Sequence, residues 1–161
     1  GRGCRKTIVT AQMHRWTVEG TAEKSGMVKF IQKKDGLYAK VRVKGLTPGD
    51  HGFHIHAGTS CGPVGSDGKI DRGMAAGGHF DPDGTGHHSG PHGMGHAGDL
   101  PLLVANDQGV AKTEFKMPNL TADEIAGHAI VIHDGGDNYS DTPQPLGGGG
   151  GRFACGVLKL R

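Results

Sequence analysis

The sequence predicts an all-β fold, a sandwich or barrel of about eight short antiparallel strands. Apolar and polar residues alternate in short segments that are separated by turn signals, and no ten-residue segment has the pattern of an amphipathic helix. Glycine supplies 31 and proline 8 of the 161 residues, which disfavours a helical bundle. The length fits one domain, so we expect a single domain over residues 1–161, with residues 1–7 as a flexible N-terminal extension.

The clearest strand signal is a hairpin between residues 27 and 44. Apolar residues stand at every second position from 37 to 43, and Lys34-Asp35-Gly36 has the composition of a tight turn. A second hairpin is predicted from Leu102 to Phe115, with its turn at 106–109. The other predicted strands are 8–13, 52–56, 129–133 and 153–159, and the capping-box spacing of Thr121 and Glu124 predicts one helical turn at 121–126.

The charges exclude some classes of partner. Eighteen Lys and Arg residues oppose 16 Asp and Glu residues, and they are scattered along the chain. Because the basic residues are not clustered in the sequence, it predicts neither a nucleic-acid-binding surface nor a polybasic patch that binds membranes. No apolar run is long enough to span a membrane, and the chain shown has no signal-peptide pattern, so we expect no membrane span.

Two long segments, 57–101 and 134–151, interrupt the strand pattern. Loops of this length are uncommon in a compact domain unless they are functional. The chain has 11 histidines, which is unusually many, and most of those in the first segment stand among glycines. Because a bound metal can order such a loop, we expect a metal site. The histidines among glycines are His79, His87, His88, His92, His96 and, further on, His128.

Three histidines mark the ends of predicted strands. His54 and His56 stand two residues apart, which places both imidazoles on one face of a strand and turns Phe53 and Ile55 toward the core. His133 ends an apolar run. Taken singly, each is also typical of a solvated strand. Together they predict a site for copper, zinc or nickel, which all accept imidazole ligands.

The first long loop offers a second set of ligands. Several histidines together with Asp99 suit a closed tetrahedral zinc site of three imidazoles and one carboxylate, although a metal-sequestering tract would have a similar composition. Asp137 and Asp141 follow His133 closely, and either could accept a hydrogen bond from the N–H group of a metal-bound imidazole or simply form a turn. Arg152 could hold an anion near the site or lie at its rim.

The three cysteines permit at most one internal disulfide. Cys61 and Cys155 each lie beside a candidate site segment, so we expect them to pair and to leave Cys4 over. Such a bond predicts an oxidising compartment.

Five motifs occur in order between Ile8 and Leu158. They are Gly-Phe-His-Ile-His, Gly-Gly-His-Phe-Asp-Pro, Gly-His-Ala-Gly-Asp-Leu-Pro, Ile-His-Asp-Gly-Gly-Asp-Asn-Tyr-Ser-Asp and Pro-Leu-Gly-Gly-Gly-Gly-Gly-Arg-Phe-Ala-Cys-Gly-Val. With these motifs the chain resembles the copper,zinc superoxide dismutases, in particular their bacterial periplasmic branch. The resemblance implies an eight-stranded antiparallel Greek-key β-sandwich or barrel with two long functional loops.

The resemblance also implies one copper and one zinc ion per subunit. Its copper ligands are His54, His56, His79 and His133, and its zinc ligands are His79, His88, His96 and Asp99. Asp137 is implied as the carboxylate that links the two sites, Arg152 as the arginine that guides the anionic substrate, and Cys61–Cys155 as the internal disulfide. We choose His88 over His87 because a short Gly-Pro stretch follows it.

The implied reaction converts two superoxide anions and two protons to dioxygen and hydrogen peroxide by Cu(II)/Cu(I) cycling. His79 and Arg152 are its implied catalytic residues, with Lys69 and Arg72 as weaker candidates for steering superoxide. His128 stands at an odd spacing from His133, so we expect it to face away from copper. The roles of Cys4, His87 and His92 stay open.

Two other functions remain open: a non-enzymatic copper-binding or copper-chaperone relative, and a simple metal-sequestering protein. A non-enzymatic relative would lack a copper histidine or the guiding arginine, and this chain has all of them. We expect a periplasmic or secreted location. Monomer and homodimer are both compatible with the sequence.

Overall fold

The computed structural model describes residues 6–16, 22–61, 79–82, 84, 86, 97–137 and 152–161. These residues form ten strands and one helical turn. In chain order they are β1 (Ile8–Trp16), β2 (Ala22–Lys33), β3 (Gly36–Val43), β4 (Gly49–His51), β5 (Phe53–Ile55), β6 (Leu103–Ala105), β7 (Ala111–Met117), α1 (Ala122–Ile125), β8 (Ala129–His133), β9 (Arg152–Val157) and β10 (Lys159–Leu160).

The strands form one large sheet and one small one. The large sheet has the order β5-β8-β9-β1-β2-β3-β7, with β10 paired to β1, and the small sheet pairs β4 with β6. Every pairing between these strands is antiparallel. Neighbours that are distant in the chain, such as β3 with β7 and β5 with β8, need long crossing connections of the Greek-key kind. The predicted all-β antiparallel fold is confirmed.

The hairpin predicted between residues 27 and 44 is confirmed as β2 and β3, which face each other from Gly26–Val43 to Lys33–Gly36. Its alternation places Val41 and Val43 in the core and leaves Lys40 and Arg42 exposed. At Gly26 the backbone has a φ of 139°, and a Cβ atom there would lie 2.0 Å from the carbonyl oxygen of Arg42. A side chain at that position would therefore separate the two strands.

The second predicted hairpin is wrong. The turn itself forms, since the Asn106 side chain accepts hydrogen bonds from the amides of Gln108 and Val110. The two strands beside it pair elsewhere, however: β6 with β4 and β7 with β3. Gly109 packs so closely on Leu46 that a Cβ atom would lie 2.4 Å from its carbonyl oxygen. The turn is thus held against the β3–β4 connection, and the chain passes there from the small sheet to the large one.

The core lies between the inward faces of the strands. Its largest fully buried side chains include Phe30 on β2, Leu37 on β3, and Phe53 and Ile55 on β5. Each such side chain contributes about 1.5–3 kcal/mol of burial free energy. Because Phe53 and Ile55 anchor β5 from the core side, His54 is directed to the opposite face.

The helical turn α1 forms where the capping box predicted it. The amide of Glu124 donates to Oγ1 of Thr121 at 3.3 Å, and the amide of Thr121 donates to Oε1 of Glu124 at 2.9 Å. The amide of Ala122 also donates to the side chain of Gln32 on β2. Within the described residues, no helix is long and apolar enough to cross a membrane.

Candidate metal centre

Pairing between strands β5 and β8, together with two isolated β-bridges, positions the histidines. Strand β5 lies against β8 with His54 opposite Val131, and the amide of His133, at the end of β8, donates to the carbonyl of Gly52 just before β5. The loop before β6 returns to β5 through two isolated bridges, between His56 and His79 and between His54 and Asp99. Residues that are distant in sequence thus come within reach of one metal ion.

Four buried histidines form a single cluster. One potential ligand atom from each of them lies within 4.8 Å of the others. The ring centroids of His54 and His79 are 4.0 Å apart, and those of His54 and His133 are 4.7 Å apart. The members of the cluster are His54, His56, His79 and His133, which are the four copper ligands that the sequence resemblance implies.

Two carboxylates fix the orientation of two rings. The Nε2–H group of His54 donates to Oδ2 of Asp137 at 2.8 Å, and the Nδ1–H group of His79 donates to Oδ1 of Asp99 at 2.8 Å. Both pairs are buried. The opposite ring nitrogens, Nδ1 of His54 and Nε2 of His79, are therefore left with their lone pairs toward the cluster.

The donor set fits copper. Nδ1 of His54 and Nε2 of His56, His79 and His133 are buried nitrogen atoms that make no hydrogen bond within the described residues, while the same rings keep other contacts. Neutral imidazole nitrogens are ligands that copper accepts readily. Four of them converging in one buried cluster match a copper site.

Burial keeps His54 neutral. Loss of water around the ring lowers the pKa of His54 to about 4, and the hydrogen bond to Asp137 opposes this shift only in part. At neutral pH the ring therefore carries one proton, on the nitrogen that faces Asp137. The other nitrogen has a lone pair available for a metal.

The predicted zinc site is described in part. Asp99 is fully buried, and its carboxylate lies against Nδ1 of His79, so one carboxylate and one imidazole of the implied set stand together. An oxygen and a nitrogen donor are both ligands that zinc accepts. The other two implied ligands, His88 and His96, lie outside the described residues. So do Cys4, Lys69, Arg72, His87, His92 and Asp141.

The backbone of Arg152 lies beside the cluster. Arg152 begins β9, and its register partner on β8 is His133. A register shift between Ile132 and His133 marks the same place. The side chain of Arg152 lies outside the described part of the structure.

A disulfide holds the start of the long loop. Cys61 and Cys155 are bonded, with their Cα atoms 5.8 Å apart, which confirms the predicted pair. The amide of Ala129 also donates to the carbonyl of Gly58 at 2.9 Å. The segment that leaves β5 is thereby tied to both β9 and β8.

Two further histidines support the cluster through its backbone. The Nδ1–H group of His51 donates to the carbonyl of His133 at 2.6 Å, and its Nε2 lies 2.7 Å from the carbonyl of Thr47. His128 donates from Nδ1 to the carbonyls of His56 and Ala57. Sequence reasoning missed His51, because a histidine on a three-residue strand gives no periodic signal. His128 lies outside the metal-binding group, as its spacing predicted.

Comparison with known proteins places this centre in a family. The family sequence model for copper/zinc superoxide dismutase (SODC) matches residues 24–158. The chain belongs to the copper/zinc superoxide dismutase family. Superoxide dismutase [Cu-Zn] 2 of Salmonella typhimurium is 48% identical over 158 residues, which cover 98% of this chain and 91% of the relative. Superoxide dismutase [Cu-Zn] of Escherichia coli K12 is 47% identical over the same shares.

Solved structures of the copper/zinc superoxide dismutase family agree with the fold. The Cu/Zn superoxide dismutase from Brucella abortus superposes with a TM-score of 0.86 at 48% identity, over 94% of this chain and 99% of that one. The monomeric copper, zinc superoxide dismutase from Salmonella enterica gives a TM-score of 0.78, also at 48% identity, over the same shares. The predicted Greek-key architecture is thereby confirmed.

Proposed function

We propose that this chain is a superoxide dismutase that converts two superoxide anions and two protons to dioxygen and hydrogen peroxide. The observation that carries the proposal is the buried cluster of four histidines, whose ligand atoms lie within 4.8 Å of one another in a chain of this family. Curated relatives named as copper-zinc superoxide dismutases match it over nearly its whole length.

Each cluster histidine would hold copper through one nitrogen atom. These atoms are Nδ1 of His54 and Nε2 of His56, His79 and His133. A copper ion held there would supply one-electron redox chemistry. Asp137 keeps His54 in the tautomer that such binding requires, since it accepts a hydrogen bond from the Nε2–H group on the opposite side of the ring.

His79 would hold both metals. Nδ1 of His79 would release its proton on binding zinc, and Asp99, His88 and His96 would complete the zinc ligands. Nε2 of His79 belongs to the copper cluster. Zinc has no redox chemistry, so its contribution would be to order the loop and fix the His79 ring. When Nε2 of His79 carries a proton, it can pass that proton to a substrate oxygen in the cluster.

Arg152 is the proposed guide for the substrate anion. Its backbone pairs with that of His133, which places the residue at the edge of the cluster. A guanidinium group there would attract superoxide, and a positive funnel raises the rate of association roughly 10- to 1000-fold.

We infer a periplasmic location. The Cys61–Cys155 disulfide is typical of oxidising compartments, and the relatives described above are bacterial. The Salmonella enterica relative is monomeric, which favours a monomer over a homodimer here. Sedimentation velocity on the loaded protein distinguishes these two states.

The alternative is a copper-binding or copper-chaperone relative without turnover. Such a protein needs fewer ligands than the complete set of four converging histidines found here. The decisive experiment is pulse radiolysis of protein loaded with copper and zinc beside protein loaded with zinc alone. Rapid superoxide decay that needs copper supports the enzyme. Stoichiometric copper binding without superoxide decay would instead support the non-enzymatic relative.

A further inference from the structure

A band of positive charge covers the outer face of strands β2, β3 and β7. Outward positions on these strands alternate with core positions, so their side chains collect on one surface. We call this surface the basic face and define it by its six cations, Lys29, Lys33, Lys40, Arg42, Lys112 and Lys116. Glu114 is the one carboxylate among the outward positions from Met27 to Lys33, Tyr38 to Arg42 and Lys112 to Lys116.

Like charges stand directly opposite each other on this face. Lys29 is the register partner of Lys40, and Arg42 is the register partner of Lys112. Directly opposed like charges destabilise a sheet. Within the described residues, Nζ of Lys40 has a carboxylate neighbour in Glu114 at 3.9 Å, but their side chains are 60% and 73% exposed and the pair contributes little. The basic face thus concentrates charge at a cost to stability, as an anion-binding surface would.

The concentration of charge is specific to this face. Six of the 18 Lys and Arg residues belong to it, and two of the 16 Asp and Glu residues contact it. These two are Glu114 and Asp35, whose carboxylate accepts from the Tyr38 hydroxyl at 2.6 Å and from Nζ of Lys116 at 3.1 Å. The rest of the chain therefore has 12 cationic and 14 anionic side chains, so it is net negative. Charges that are scattered along the sequence collect on one surface, because outward and core side chains alternate on the three neighbouring strands β2, β3 and β7.

Three shallow depressions overlap along the basic face. One shallow concavity lies over Lys33, Tyr38 and Lys116 and shares Lys40 and Glu114 with a second. The second shares Met27 and Arg42 with a third that reaches Lys44. Together these open depressions form a shallow trough that follows β3. The eight residues of β3 span roughly 26 Å at about 3.3 Å per residue.

We propose that the basic face binds an extended acidic polysaccharide along this trough. A linear polymer with repeated carboxylate or sulfate groups can neutralise the opposed pairs Lys29–Lys40 and Arg42–Lys112 in succession. None of the cluster histidines lies on the strands of the basic face. His54 is on β5, His133 is on β8, and His56 and His79 lie in the segment between β5 and β6. Binding would therefore localise the enzyme on the polymer and leave the metal centre accessible.

The observations favour a polysaccharide over a nucleic acid or a membrane. Bases bind to exposed aromatic rings, but Tyr38 is the one aromatic residue on the described face, and the ammonium of Lys33 lies 4.4 Å over its ring. Binding to a membrane surface is strengthened by apolar side chains that enter the lipid, and Met27, at 40% exposure, is the one exposed large apolar side chain on this face. The disulfide also indicates an oxidising compartment, outside the cytoplasm where nucleic acids are abundant.

The test compares two double variants with the same change in charge. Lys40→Gln/Arg42→Gln removes the centre of the basic face, and Lys24→Gln/Arg161→Gln removes two exposed cations that do not belong to it. The probes are a heparin dodecasaccharide, an oligogalacturonate of equal length, single-stranded DNA and phosphatidylglycerol vesicles. Affinity is measured by calorimetry on the metal-loaded protein at about 0.05 M and about 0.2 M NaCl.

We expect at least one of the two polysaccharides to bind, and its affinity to fall about tenfold or more between these salt concentrations. The basic-face variant should lose about tenfold in affinity relative to the control variant, with dismutation unchanged in both. An equal loss of polysaccharide affinity in the two double variants would show that only the net charge of the protein matters, and would overturn the proposal. Tighter binding of DNA or vesicles than of both polysaccharides would also overturn it, as would no polysaccharide binding at low salt.

Discussion

Nε2 of His54 lies 2.8 Å from Oδ2 of Asp137, and this contact joins strand β5 to the segment that follows β8. Both side chains are buried, so the hydrogen bond is shielded from water. The carboxylate fixes the tautomer of a ring whose other nitrogen belongs to the histidine cluster. The order of the metal centre therefore depends on a residue that need not touch copper.

Replacing Asp137 should weaken copper binding. In Asp137→Ala the Nε2–H group of His54 loses its acceptor, and the ring can then rotate or change tautomer. We expect copper affinity to fall about 10- to 100-fold, as is usual when the hydrogen-bond partner of a ligating histidine is lost. A competition titration with a chromophoric chelator measures this change. Asp134→Ala, an exposed carboxylate in the same segment, is the matched control, and equal losses in the two variants would contradict the prediction.

The metal-free protein should lose stability as the pH falls below about 6.5. Burial lowers the pKa of His54 to about 4 in the folded state, while the unfolded chain has a value near 6.5. Between these values the unfolded state binds the extra proton, so the free energy of unfolding decreases toward pH 4, by up to about 3 kcal/mol from this residue. Urea titrations of the metal-free protein at several pH values measure how steeply the free energy of unfolding changes with pH. In the variant His54→Asn this dependence on pH should be weaker, and an unchanged dependence would refute the assignment to His54.

Removal of the disulfide should destabilise the protein by about 4 kcal/mol. The bond between Cys61 and Cys155 joins residues 94 positions apart, so it restricts a long loop in the unfolded chain. The double variant Cys61→Ser/Cys155→Ser should therefore melt at a lower temperature than the parent, in calorimetry of the metal-free forms. Cys4→Ser serves as the control, because Cys4 is not part of this bond. A melting temperature that is equally low in the control would argue against this explanation.

His51 should matter for both stability and metal binding. In His51→Phe the carbonyl of His133 loses a buried donor at 2.6 Å, which costs about 1–3 kcal/mol. Since that carbonyl belongs to a cluster residue, we also expect weaker copper binding in the same competition titration. His51→Gln retains a donor and should recover part of both properties. If the glutamine variant is no better than the phenylalanine variant, the hydrogen bond is not the cause.

Gly98 should not tolerate a side chain. A Cβ atom there would lie 2.4 Å from the carbonyl oxygen of Ile55 and 2.8 Å from Cβ of Phe80. Gly98→Ala must therefore push the loop away from β5, and the segments that contain His79 and Asp99 move with it. We expect a loss of about 1–3 kcal/mol in stability and weaker zinc retention during dialysis. Retention equal to that of the parent would show that the loop adapts.

Local patterns predict the elements that are fixed by neighbouring residues. The alternation from 37 to 43 identifies β3, and the spacing of His54 and His56 correctly places Phe53 and Ile55 in the core. The capping box of α1 is likewise a short-range feature. In each of these cases the determining contacts lie within a few residues, so the sequence contains the necessary information.

Features that depend on distant partners were missed or mistaken. Strands β6 and β7 have the composition of a hairpin, but β6 pairs with β4 and β7 pairs with β3. No local pattern in the sequence reveals these distant partners. His51 is significant only because β4 lies beside His133. The basic face is another example, since it appears only when three strands are aligned. The choice of His88 over His87 and the role of Arg152 stay predictions.

The histidine cluster draws on widely separated parts of the chain. Its members run from residue 54 to residue 133, and the neighbouring disulfide reaches residue 155. During synthesis, a nascent chain that ends before β8 lacks one of the four histidines, and one that ends before β9 cannot close the disulfide beside them. Acquisition of copper by the full set of ligands therefore marks a chain whose synthesis and folding are essentially complete.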